Sequence, residues 1–165
     1  MTVSTLKIGD KAPSFTLAGI GPEGEVKIES SALLGKPYLI YFYPKALTSG
    51  CTTQACALRD ALPDLRIPQG LELPVFGISP DPLKKLSRFS EKEKLNFTLL
   101  SDEDHALAES YGVWVSKTLY GRFFMGIERS SFLIDEKGFI SALKRKIRPA
   151  EQVEWTKTSL AQLTS

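Results

Sequence analysis

The sequence predicts a mixed α/β fold, a central sheet with helices on both faces, and three observations carry that expectation. Two continuous apolar runs, YLIYFYP (Tyr38 to Pro44) and LPVFGIS (Leu73 to Ser79), read as strands covered on both sides. Each is followed by residues recurring at helical spacing. Near the end, SFLID, the turn EKG and FISALKR form a hairpin pattern that precedes an amphipathic helix.

The elements follow in order. Gly19, Gly21, Pro22 and Gly24 mark the first thirty residues as short strands joined by turns, an N-terminal β-hairpin extension. LLGKP breaks the chain before Tyr38, and Pro44 ends that strand because proline cannot donate to a central ladder. From about Gly50 the period changes: Ala55, Leu58, Ala61 and Leu62 predict a helix that Pro63 closes. DPLKKLSRFSEKEKL predicts a helix with Asp81 as N-cap and Pro82 at its first position, Leu83, Leu86 and Phe89 facing inward. DEDHALAESYG is a short helix closed by Gly112, and Pro149 opens the last helix. The compact arrangement of this kind is the thioredoxin-like fold. No repeat, linker or low-complexity tract divides the chain, so residues 1–165 are expected to form a single domain.

Composition narrows the function classes. With 42% hydrophobic and 24% charged residues and a formal charge of +2, the chain reads as an ordinary globular protein. That charge gives no reason to expect a nucleic-acid or membrane surface. Lys144, Arg145, Lys146 and Arg148 are locally basic and are expected at the solvated end of an edge strand. The start lacks a charged, then apolar, leader pattern, and no later run is long enough to cross a bilayer. Two cysteines are too few for a disulfide scaffold, so a cytoplasmic, reducing environment is expected.

Both cysteines, Cys51 and Cys56, fall in YFYPKALTSGCTTQACALRD, where the pattern passes from strand to helix. Cys51 is expected in the first helical turn, where unpaired N–H groups and the positive end of the macrodipole favour a thiolate. Five residues along a helix amount to ~140° of rotation and ~8.6 Å between Cα atoms. A disulfide usually needs ~4.4–6.8 Å. A Cys51–Cys56 bond therefore requires the first turns to unwind. A thioredoxin-type dithiol has two intervening residues, whereas TTQA supplies four. A structural zinc site needs about four ligands, and two Cys with His105 do not supply them. Two small buried hydrophobes would also account for the pair.

The neighbouring residues add a family resemblance. PKALTSGC, with Pro44, Thr48 and Cys51, resembles the active-site signature of the peroxiredoxins, the thiol peroxidases. YFYPK…GCTTQACALRD is similar to the bacterioferritin comigratory protein, or peroxiredoxin Q, branch. IGDKAPSFTL, LLSDEDHALAESYGVW, YGRFFMGIERSSFLIDEKG and the closing helix resemble the same branch in order, over nearly the whole chain.

The resemblance implies that Cys51 is the peroxidatic and Cys56 the resolving cysteine. It implies that Thr48 hydrogen-bonds thiolate and peroxide, that Pro44 shields the pocket, and that Arg129 stabilises the charge. Gln54, where the branch often has glutamate, is expected to help bind substrate. Ala46 and Ser49 depart from the branch's frequent aspartate and proline. The implied activity is reduction of hydrogen peroxide and organic hydroperoxides with no bound cofactor or metal, recycled by a thioredoxin-like dithiol protein. A monomer suffices for that cycle, although a dimer is compatible with it. A general thiol–disulfide oxidoreductase and a redox-sensing binding protein are the competing readings. Tyr111, Trp114, Tyr120, Phe123 and Phe124 are expected in the core or in a pocket wall. His105 is given no role.

Overall fold

The computed structural model describes residues 6–163. A hairpin of β1 (Thr16–Gly21) and β2 (Gly24–Glu29) leads into β3 (Tyr38–Phe42), α1 (Ser49–Ala61), β4 (Val75–Ser79), α2 (Leu83–Glu93) and β5 (Thr98–Ser101). Then come α3 (Ala106–Ser110), β6 (Trp114–Leu119), β7 (Arg122–Ile127), β8 (Ser130–Ile134), β9 (Ile140–Arg145) and α4 (Gln152–Leu163). Seven strands form one sheet in the order β2-β1-β5-β4-β3-β8-β9, and β6 and β7 pair separately. The central β3, β4 and β5 are parallel, and the two hairpins attach antiparallel on either side. This is the mixed, thioredoxin-like sheet expected from the sequence.

Strand alternation explains the two-sided core. Leu39, Tyr41 and Tyr43 point into a cluster with Cys51, Ala55 and Leu58 of α1, Phe89 of α2 and Leu160 of α4. Tyr38, Ile40 and Phe42 point the other way, onto Leu107 and Ala108 of α3, then Tyr111 and Val113. Burying β3 on both faces is why its sequence is apolar without interruption. Gly77 is needed in β4 because a Cβ there would lie 2.8 Å from the Tyr41 ring. Register then prepares the site. Phe42 pairs with Ser130, so Arg129 stands beside the end of β3, where the chain turns towards α1.

Several sequence expectations need correction. Asp81 does not cap α2: Pro82 is the N-cap residue, without a side-chain cap, and Asp81 turns Oδ2 to a different loop while Oδ1 pairs with Lys85 of α2 at 3.4 Å. The helix from Pro149 begins as a 3-10 turn and becomes α-helical at Gln152. The β6–β7 hairpin was not expected. Its register leaves Tyr120 95% and Phe123 78% exposed, with Phe124 also exposed, so these rings wall no core. Tyr111 is buried as expected, and Trp114 stacks on His105 at 4.0 Å between centroids. Arg145 is not merely solvated at the edge of β9. Its Nη1 donates to the carbonyls of Tyr111 and Gly112 after α3, and its guanidinium lies over Phe132.

Candidate active site

The loop from Tyr43 to Thr48 places the start of α1. Tyr43 N–H still donates to Ile78 O, which keeps the chain on the sheet to that point. Ala46 N–H then donates to Asp81 Oδ2 at 2.7 Å, and Ser79 Oγ donates to the same oxygen at 2.8 Å. Asp81, missed as a site residue, therefore ties this loop to the end of β4. Leu47 adopts a left-handed φ of 69° immediately before the helix, a conformation that needs such outside support. Pro44 is half-buried at the end of β3. Thr48 is the N-cap residue, but its hydroxyl donates backwards to Lys45 O at 2.7 Å instead of capping.

Cys51 lies in the first turn of α1 and is 2% exposed. Arg129 Nη1 stands 3.5 Å from its Sγ and also donates to Gln54 Oε1. The guanidinium passes over Gly50, where a Cβ would come within 3.3 Å of Nη2. Gln54, one turn after Cys51, is fully buried and belongs to a chain of amides. Its Nε2 donates to Gln152 Oε1 at 2.8 Å, Ser131 Oγ donates to the same oxygen at 2.6 Å, and Gln152 Nε2 donates to Thr156 Oγ1 at 3.1 Å. The site is thus fastened to β8 and α4. Gln152, Ser131 and Thr156 were invisible to sequence reasoning because polar residues in an amphipathic segment read as its solvent face. Gln54 is neutral, so it accepts from Arg129 without forming an ion pair, and the guanidinium donates from one rigid fork to both the amide oxygen and the sulfur.

Lys117 of β6 is a second cation in the electrostatic neighbourhood. Burial and the charge of Arg129 push its ammonium below the ordinary lysine value, with the Cys51 sulfur pulling the other way. Among the described residues no group of three or more His, Cys, Asp and Glu could hold a metal ion.

Cys56 faces elsewhere. Its Sγ donates to Glu93 Oε1 of α2 at 3.4 Å, and Arg59 Nη1 donates to that sulfur at 3.4 Å. Burial pushes the Cys56 thiol up, and the hydrogen bond to Glu93 adds to this, while Arg59 pulls it down. Both thiols are free, on different sides of one continuous helix.

A thioredoxin fold that holds a helix-start thiol against an arginine defines the peroxiredoxins, the thiol peroxidases. Residues 8–143 match the AhpC/TSA family, and the chain belongs to that family. It is 51% identical over 138 residues to the peroxiredoxin Bcp of Escherichia coli strain K12, 84% of this chain and 85% of that one. With the peroxiredoxin Bcp of Bacillus subtilis strain 168 it shares 42% identity over 149 residues, 90% of this chain and 91% of that one. Among solved structures, the bacterioferritin comigratory protein of Xanthomonas campestris, described for its alkyl peroxide reduction activity, superposes with a TM-score of 0.75. That likeness is at 33% identity and 89% coverage of both chains. The branch resemblance read from five sequence blocks holds across most of the chain.

Proposed function

We propose that this thiol peroxidase reduces hydrogen peroxide and organic hydroperoxides through a two-cysteine cycle contained in one domain. Cys51 thiolate attacks the terminal peroxide oxygen; an S–O bond forms as the O–O bond breaks, and the departing oxygen leaves protonated as water or alcohol. Cys51 is then a sulfenic acid. The first turns of α1 unwind, Cys56 sulfur attacks Cys51 sulfur, and water leaves as the intramolecular disulfide forms. A dithiol protein of the thioredoxin kind reduces that disulfide by exchange and is itself oxidised.

The observation that carries this reading is the Arg129 guanidinium, held by Gln54 and within 3.5 Å of Cys51 Sγ. It is aimed where negative charge resides before attack and where it develops on the departing oxygen. Thr48 takes part as an acceptor. Its proton is given to Lys45 O, so its oxygen lone pairs are left for the peroxide O–H. Pro44 contributes an N–H-free, half-buried wall beside the thiol loop. Both thiols lie in one chain, so a monomer completes the cycle. A reducing compartment such as the cytoplasm suits it, and among the described residues no helix is long and apolar enough to cross a membrane.

Stopped-flow tryptophan fluorescence of the reduced protein mixed with peroxide, with mass spectrometry of the product, tests the cycle. Rapid oxidation to a Cys51–Cys56 disulfide is expected. Slow oxidation would leave a general thiol–disulfide oxidoreductase as the better reading, and activity lost in Cys56→Ser but kept in Cys51→Ser would reverse the roles.

A further inference from the structure

The second thiol has an environment of its own. Glu93 is the last residue of α2, Lys94 follows it in a left-handed conformation with φ 50° that ends the helix, and the Glu93 carboxylate reaches Cys56 Sγ. Arg59 Nη1 bridges Cys56 Sγ and the backbone carbonyl of Glu93, and Asn96 Nδ2 donates to Arg59 O at 3.1 Å. Arg59 Nε also pairs with Asp60 at 2.9 Å. These contacts divide α1 in two. Gln54 holds the first turns to α4 and Arg129, whereas Arg59 and Asn96 hold the remainder of the helix to the α2–β5 connection. Cys56 lies between these two anchorages, and releasing it breaks its contacts with Glu93 and Arg59.

We propose that Glu93 is a positioning residue for the resolving step, a latch that holds Cys56 against α2 and sets how long the Cys51 sulfenic acid waits before the disulfide forms. This rests on the reading of Cys56 as the resolver. The waiting time matters chemically, because a second peroxide can carry the sulfenic acid on to a sulfinic acid. The latch therefore sets the peroxide concentration at which the enzyme is inactivated. Burial and then the hydrogen bond to Glu93 push the latched thiol up, so leaving Glu93 removes one influence that disfavours its thiolate.

The test uses full-length protein with Glu93→Gln and Glu93→Ala. The rapid oxidation phase of Cys51 is expected to match wild type in both. The following disulfide-forming phase should quicken by about fivefold in Glu93→Ala, the factor one net hydrogen bond is worth, and by less in Glu93→Gln, which keeps an acceptor. The peroxide concentration giving half-maximal sulfinic acid should rise by the same factor.

A second readout separates a latch from a merely structural contact. In Cys51→Ser protein, Cys56 is faced by Arg59 and Asp60 on α1, Glu93 on α2 and Tyr41 on β3. Adding Glu93→Gln should move the pH midpoint of Cys56 alkylation downwards while the fold is retained. A disulfide phase that is unchanged or slower in folded Glu93→Gln protein, or an unmoved alkylation midpoint, would overturn the latch. A wild-type protein that forms no Cys51–Cys56 disulfide would instead overturn the resolver reading, a result visible before any variant is made.

Discussion

Gln54 and Gln152 meet side chain to side chain, Nε2 to Oε1 at 2.8 Å, across 98 residues of sequence and with neither residue exposed. This contact orients the amide oxygen of Gln54 towards Arg129, and through it the last helix governs where the guanidinium lies. An interior hydrogen bond between two neutral amides would be an odd choice for stability alone, since its net worth is modest. Its value lies in fixing a charged donor beside the thiol.

Replacing Arg129 tests the electrostatic account. Arg129→Ala should slow peroxide oxidation of Cys51 by about 10²-fold, the usual loss when one preorganised donor is removed. Arg129→Lys should recover only part of this, because an ammonium cannot donate to sulfur and to Gln54 from one rigid fork. Stopped-flow oxidation rates at fixed pH measure both.

Gln152→Leu should destabilise the protein by about 1–3 kcal/mol, since Gln54 Nε2 and Ser131 Oγ lose their shared acceptor in a buried place. Urea denaturation gives the change. Oxidation of Cys51 should slow as well, because Gln54 is no longer held.

Asp81→Ala should leave Ala46 N–H and Ser79 Oγ without their acceptor and cost a similar ~1–3 kcal/mol. Its signature is a slower oxidation step, since Asp81 supports the loop before Cys51. Asp81→Asn, which keeps one oxygen for both donors to share but loses the carboxylate charge and its pairing with Lys85, should fall between. Rapid-mixing kinetics of folded variants distinguishes this from a general loss of stability.

Glu151 gives a pH-dependent prediction. The backbone N–H and then the side chain of Arg148 hold its carboxyl below the ordinary 4.5. A depressed folded-state value means that its stabilisation is complete above the unfolded-state value and disappears as pH falls through the folded one. Wild type should therefore resist urea better than Glu151→Gln at neutral pH, and the two midpoints should converge in acid.

What could be read in advance follows from how each feature is encoded. The uninterrupted YLIYF of β3 and the alternation of strand and helix announced the sheet, because burial on both faces leaves a local signature. The helix-start position of Cys51 followed from period alone. Arg129 followed from the resemblance, and its approach to Cys51 rests on the β3–β8 register, which no local pattern specifies. Asp81 misled because an aspartate before a proline and an apolar period is the usual N-cap pattern, and only the fold brings Ala46 N–H within its reach. Gln152 and Thr156 carry polar side chains on the buried side of α4, where a periodic reading expects only apolar ones. The β6–β7 hairpin exposes its aromatics, the reverse of what a hydrophobic pattern implies.

The site is also assembled from distant parts of the chain: Cys51 and Arg129 lie 78 residues apart, and Gln54 and Gln152 lie 98. Synthesis runs from the N-terminus, so the growing polypeptide carries its thiol well before the arginine exists, and both before the glutamine that steadies them. Peroxidase competence is consequently a property of the finished chain. Cys56 leaves the ribosome only five residues after Cys51, whereas the guanidinium that flanks Cys51 follows 78 residues later, so both thiols are made together before their site exists.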